Sequence, residues 1–208
     1  MQKLFTCLLC YVGLGMAQTS NSHERPVSVI ARAVAMGGQS PVSNVRASWT
    51  GATAYGGFSR SWTVGVQPIV QLRASGFIAE GGPTIWVPIR AGVTRAVGVH
   101  TIRTGDAVKI QPHIGVGYQI LPPVALLVAY DQFAQTLEWN YQSGFRELGT
   151  MKARMPNVEV RLGGRRGLLG SVGIGMFRPY FKPAEGSPRV DVTFRRGVMA
   201  FVTLGYAF

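Results

Sequence analysis

From Ser61 to Ser75 the chain alternates without interruption for fifteen residues. One set is Trp62, Val64, Val66, Pro68, Val70, Leu72 and Ala74; the other is Ser61, Thr63, Gly65, Gln67, Ile69, Gln71 and Arg73. Successive side chains of a strand point to opposite faces, so this pattern predicts a strand with one apolar and one largely polar face. It is longer than the roughly five or six residues of a globular strand and slightly exceeds the about 9–11 that cross a bilayer at a tilt. The alternation recurs along the chain. After a Gly81-Gly82-Pro83 turn, Ile85, Val87, Ile89, Ala91 and Val93 oppose Trp86, Pro88, Arg90, Gly92 and Thr94. Following Gly105-Asp106, Val108 to Ile120 alternates with Lys109, Gln111, His113, Gly115, Gly117 and Gln119. Further candidate strands are Val27–Met36, Val45–Tyr55, Val124–Gln135, Pro156–Gly163, Leu168–Phe177, Val190–Phe194 and Val198–Phe208.

Such segments, divided by Gly, Pro and Asp turns, predict an all-β fold: an antiparallel up-and-down transmembrane β-barrel of eight to ten strands. A soluble antiparallel sheet with one wet face shows the same periodicity. The unusual length of the apolar faces, the make-up of the polar face and the patterns at the two chain ends favour the barrel. Glycine is abundant at 27 residues and only 14% of the chain is charged, which excludes disorder and a helical bundle. After the first twenty residues no apolar run approaches the roughly 18–20 of a membrane-spanning helix. The face opposite the apolar one is rich in Gly, Thr, Gln and Arg, which suits a narrow lumen where side chains from many strands converge.

The first residues read as a signal peptide, 1–17: Lys3, an apolar stretch from Leu4 to Met16, and small residues at Gly15 and Ala17. Both cysteines, Cys7 and Cys10, fall inside it, so the mature chain would be free of disulfides. Residues 18–26 form a polar lead-in and 27–208 the barrel. At the other end, Val198, Ala200, Val202, Leu204, Tyr206 and Phe208 share one apolar face. This stretch resembles the terminal strand of Gram-negative outer-membrane β-barrels, in which an aromatic last residue follows alternating apolar positions. Thr203 stands where that family often has glycine, with Gly205 nearby. The resemblance implies an outer-membrane location and a monomer in contact with lipid and lipopolysaccharide. It also implies that Leu204, Tyr206 and Phe208 are the signal read by the barrel-assembly machinery.

An even strand number places both termini on the periplasmic side, where turns are short. With ten strands, the weakly patterned Thr136–Met155 connection falls on that side. Either an early strand is misassigned or this connection contains extra strand.

The formal charge of +12 raises nucleic acid as a partner, but a binding patch needs clustered cations interleaved with aromatics. Here they are spread about one per strand: Arg32, Arg46, Arg73, Arg90, Lys109, Arg161 and Arg195, all on the predicted lumen face. No nucleic-acid partner is expected. The acids expected on that face are Asp131, Glu159 and Asp191. Such a surplus predicts a packed polar interior or a narrow, anion-preferring conduit; eight to ten strands leave no room for a wide porin channel. Catalysis is not expected. Lipid A deacylases carry a His-x-Ser pair, whereas His100 and His113 are followed by Thr101-Ile102 and Ile114-Gly115. Omptin-type proteases need longer strands and paired acids. His113 reads as a hydrogen-bonded structural residue, and no cofactor or metal-ligand spacing is present. The expected role is structural, adhesive or a narrow conduit. The alternative is a secreted, soluble lipocalin-like barrel that binds an apolar ligand, with apolar residues inside and charges outside.

Overall fold

The computed structural model describes residues 26–39, 42–49, 52–56, 60–87, 102–105, 107–141, 144–164, 166–187, 189–194 and 197–208. Its strands are β1 (Val27–Gln39), β2 (Val42–Trp49), β3 (Ala52–Gly56), β4 (Arg60–Ala74), β5 (Phe77–Val87) and β6 (Ile102–Thr104). They continue with β7 (Lys109–Leu121), β8 (Val124–Tyr141), β9 (Gly144–Gly163), β10 (Gly167–Pro183), β11 (Arg189–Phe194) and β12 (Gly197–Ala207). Eight of them close a ring. In order around it run β1, β4, β5, β7, β8, β9, β10 and β12, and β12 pairs back onto β1. Every neighbouring pair is antiparallel. Closure leaves no unpaired edge, the condition a sheet must meet to cross lipid.

The connections differ at the two ends. At one end they are tight: Ser75-Gly76, Pro122-Pro123 and the segment between Gly163 and Gly167. Ser75 and Gly76 both take positive φ, 48° and 87°, which lets the chain reverse within two residues. At the other end three connections are long and carry β2 and β3, β6, and β11, while the fourth closes the β8–β9 hairpin. There β11, β2 and β3 form a separate three-stranded sheet. Val190, Val192 and Phe194 of β11 pack against the apolar cluster inside the barrel. Arg189, Asp191 and Thr193 are exposed.

Three expectations change. Residues 45–49, 52–55 and 190–194 are extended, but they build the three-stranded sheet and not the ring, so the barrel has eight strands, the lower of the expected counts. Thr136–Met155 is not a loop: β8 and β9 pair almost to their tips, Tyr141 opposite Gly144, with one irregularity between Leu137 and Glu138. That hairpin belongs to the long-connection end, which removes the conflict over the periplasmic turns. Finally, Gly81-Gly82-Pro83 lies within β5. The β4–β5 register is the same on both sides of it, Val66 opposite Ile85 and Val70 opposite Gly81. Pro68 and Pro83 fall in the gap between, and neither can donate to a ladder. The proposed signal peptide and lead-in up to Arg25 lie outside the described residues.

Side-chain direction follows the alternation in all eight ring strands. Outward positions are apolar and open: Val116 is 62% exposed, Ile110 64% and Ile174 61%. Aromatic residues cluster on the outside near the tight-turn end, where Phe77 meets Tyr118 edge-on at 5.1 Å and Tyr206 meets Phe208 at 5.0 Å. Inward positions are filled. Near the tight turns sit Ile30, Ile69, Leu169 and Ala207, and beside them Ile78, Ala125 and Leu127. Toward the long connections a larger cluster includes Val34, Met36, Trp86, Phe133, Met155, Phe177 and Met199. Between these apolar layers lies a polar one.

Candidate functional site

The polar layer is an ionic network contributed by six strands. Arg161 of β9 donates two bonds to the Glu80 carboxylate of β5, at 2.6 and 2.8 Å, a bidentate pairing. It also donates to Glu159 at 2.7 and 3.0 Å. Arg32 of β1 reaches the same Glu159 at 3.0 and 3.2 Å, lies 3.7 Å from Glu80, and donates through Nε to Gln67 of β4. Gln67 in turn donates to Thr84 at 2.8 Å and to Asp131 at 3.1 Å. Gln71 donates to Glu80 at 2.9 Å, and Asn157 to Asp131 at 2.8 Å. His113 of β7 bridges the carboxylates: Nδ1 lies 2.8 Å from Asp131 of β8 and Nε2 lies 3.0 Å from Glu80. All these residues are buried; Glu159 and His113 are each 1% exposed.

Glycines make the space. A Cβ at Gly205 would stand 2.6 Å from Arg32 Cβ and 2.8 Å from Ala31 O; one at Gly115 would stand 3.2 Å from Glu80 Cγ. The network therefore occupies volume that side chains at these positions would take.

The sequence-predicted basic residues part company here. Arg32 and Arg161 are the cations of the network. Arg73 faces inward near the tight turns, where it donates to Gln71 at 2.6 Å and Gln119 at 2.9 Å. Lys109 sits at the other mouth, half-buried, opposite Trp86. Arg46 is exposed on the three-stranded sheet, opposite Asp191, and so does not line the lumen. Arg90 and Arg195 lie outside the described residues. Leu204, Tyr206 and Phe208 all point outward.

Glu80 is the residue sequence reading missed. Treating Gly81-Gly82-Pro83 as a turn cut it from its strand; continuing the alternation back through Thr84 and Gly82 would have placed it inward. Its presence changes the charge balance. Two arginines face Glu80, Glu159 and Asp131, so the central layer holds no positive surplus, and Asp191 stands outside the barrel.

The site does not resemble a hydrolytic centre. His113 Nε2 faces Glu80 and, at 3.1 Å, Arg32 Nη2, not a hydroxyl or thiol nucleophile. A cavity of about 20 Å³ adjoins the network, lined by Arg32, Asp131 and Asn157 on one side and Met36, Trp86 and Phe177 on the other. That is space for about one water molecule. Among the described residues no group of three His, Cys, Asp or Glu side chains is placed to hold a metal ion.

A soluble barrel needs charges on its outer wall and keeps them out of its core; this chain has an apolar outer belt and a layer of buried ion pairs inside. Topology, closure and the apolar outer belt settle the class. It is a closed, eight-stranded antiparallel β-barrel with the apolar outer belt of a membrane-spanning one. No protein-family model and no curated sequence matches it. Among solved structures it is similar to Ail, the attachment invasion locus protein of Yersinia pestis, with a TM-score of 0.48 and 10% identity over 89% of this chain and 100% of that one. It is also similar to Neisserial surface protein A, with a TM-score of 0.45 and 10% identity over 90% of this chain and 100% of that one. Likenesses at this level say nothing of what the barrel does.

Proposed function

We propose that this barrel is a non-enzymatic, non-conducting component of the Gram-negative outer membrane, with a structural or adhesive role. In this reading the barrel is a rigid support that presents the sheet of β2, β3 and β11 on the cell surface, since long connections of such barrels face outward. One observation carries it: the lumen is filled through its height. An ionic layer in which nearly every buried donor and acceptor is matched lies between two apolar layers, and Val190, Val192 and Phe194 pack onto the apolar layer at the long-connection end. Ions crossing such a lumen would have to break buried charge pairs and then pass through hydrocarbon, both costly. The same arrangement speaks against the anion-preferring conduit, because the central arginines are matched by carboxylates.

Two measurements test the reading. Purified protein in planar bilayers should give no steady conductance, and a stable open level of either selectivity would overturn it. Asp191→Cys in the chain without its leader should be the sole thiol. It should react with a membrane-impermeant maleimide in intact cells; protection there, with labelling only after lysis, would remove the surface-presentation reading.

A further inference from the structure

On the outer wall, immediately beyond the apolar belt, β9 and β10 carry a group of cations. Arg154 stands directly opposite Arg178, Lys152 opposite Tyr180, and Lys182 opposite Thr150. Arg154, Arg178 and Lys182 are exposed and Lys152 is half-buried. Parity assigns all four to the lipid-facing side, in line with Val158 and Val160 on β9 and Val172, Ile174 and Met176 on β10. None of the four makes an ion pair or a side-chain hydrogen bond among the described residues, whereas Arg32, Arg103, Arg161 and Arg189 all pair with acids. The nearest acids along the two strands, Glu147 and Glu185, pair with none of them either. Like charges directly opposite on a sheet repel, so this wall is left with an unbalanced charge that no other described residue relieves.

Its height fixes what can relieve it. From Leu168, beside the tight turns, to Arg178 is ten residue steps, about 33 Å along a strand. At a tilt of about 40° this is about 25 Å along the membrane normal, the height of an apolar band. Arg154 and Arg178 therefore lie where hydrocarbon gives way to headgroups, in the leaflet on the long-connection side. Tyr180 lies among the cations. Gln132 of β8 stands opposite Arg154 and Tyr130 is two residues below it, which gives the patch an aromatic and polar margin. From Arg178 to Lys182 is about 13 Å along the strand, so the four cations cover enough of the wall to meet more than one phosphate.

We propose that Lys152, Arg154, Arg178 and Lys182 form a binding site for a lipid headgroup bearing more than one phosphate in that leaflet. Arginine grips phosphate through two parallel N–H bonds and lysine adds a mobile point charge. The site rests on the outer-membrane reading only for its orientation.

The test uses the full chain without its leader, refolded into phosphatidylcholine vesicles alone and into the same vesicles containing lipopolysaccharide, cardiolipin or phosphatidylglycerol. A further arm adds inorganic phosphate to plain vesicles. Thermal unfolding is followed as loss of the fast-migrating folded band. Lipopolysaccharide, and more weakly cardiolipin, should slow unfolding of the wild type in a salt-sensitive manner. Arg154→Gln with Arg178→Gln should weaken that lipid dependence about tenfold or more, while Arg189→Gln leaves it unchanged. In plain phosphatidylcholine the double variant should unfold more slowly than wild type, because the repulsion is gone; a merely structural role for these arginines predicts the opposite sign. Equal lipid response in wild type and double variant overturns the site, as does free phosphate acting as well as the lipids. Failure to enter vesicles at all would count against the membrane-barrel reading, not this one.

Discussion

Replacing Glu80 by Gln tests the network at its most connected point. The substitution keeps size and shape but removes the charge and turns one acceptor oxygen into a donor. Glu80 accepts two bonds from Arg161, at 2.6 and 2.8 Å, one from Gln71 at 2.9 Å, and lies 3.0 Å from His113. A glutamine cannot receive both arms of a guanidinium. Arg161 would lose one of its two bonds to residue 80 and, with it, the charge it faces there, while Arg32 already shares the Glu159 carboxylate. Removing one partner of a buried ion pair typically costs about 3–5 kcal/mol, chiefly through the charge left unmatched. The assay is urea unfolding in phospholipid vesicles, read by the fluorescence of the buried Trp86 and Trp139. With a slope of roughly 1–3 kcal/mol per M, the midpoint should fall by about 2 M. Glu185→Gln, in an exposed connection, should shift stability by less than about 0.5 kcal/mol. Adding Arg161→Met to Glu80→Gln should cost clearly less than the two single changes summed, since the second removes the charge the first had stranded. If Glu80→Gln lies within about 1 kcal/mol of wild type, or the pair is additive, the network is not held together by these ions.

Other expectations follow from the outer wall and the seam. Val116→Arg should destabilise the folded barrel in vesicles by about 2–4 kcal/mol if the site is near mid-membrane, and wild-type stability there would refute the face assignment. Gly205→Ala should cost about 1–3 kcal/mol, because its Cβ would approach Ala31 O at 2.8 Å and Arg32 Cα at 3.0 Å, backbone atoms that cannot swing away; an unchanged urea midpoint would show the β1–β12 seam to be looser than these contacts imply. Deleting Phe208, or changing it to Asp, should lower the amount folded in the outer membrane. Its backbone N–H is bonded to Val29 O at 2.9 Å and its ring lies against Tyr206. Unchanged levels of the folded band would remove the assembly-signal reading.

Which face each residue takes was legible, because a period of two survives whatever a strand pairs with. That is why Gln67, His113, Glu159, Arg161 and Thr203 could be assigned inward from the sequence. Which sheet a strand joins was not legible. Val190-Asp191-Val192 alternates just as Val158-Glu159-Val160 does, yet the first lies over the mouth and the second in the wall, a difference decided by partners distant in sequence. Thr136–Met155 hid for another reason. Beyond the membrane level both faces of a hairpin can be mixed, so β8 and β9 lose their alternation while their backbone pairing continues. Glu80 was lost to a Gly-Gly-Pro stretch that usually means a turn and here marks a strand crowded by Pro68 O, which a Cβ at Gly82 would meet at 2.1 Å. The ion pairs themselves join residues as far as 127 positions apart; only closure of the ring brings them together.

A barrel in lipid gains little from hiding apolar side chains inside, since hydrocarbon already surrounds its outer wall. Its interior is therefore free to carry what a water-soluble core avoids, provided each buried charge meets a partner. Here the condition is met by geometry that depends on correct closure. Arg32 enters from β1, Glu80 from β5, His113 from β7, Asp131 from β8, and Glu159 with Arg161 from β9. A slip of one residue in any of these strands would turn its charge outward into hydrocarbon and leave the opposing ones unmatched. In this respect the network acts as a register lock. It costs desolvation in the native state and would penalise a wrongly registered ring more, because each displaced charge would be left unmatched.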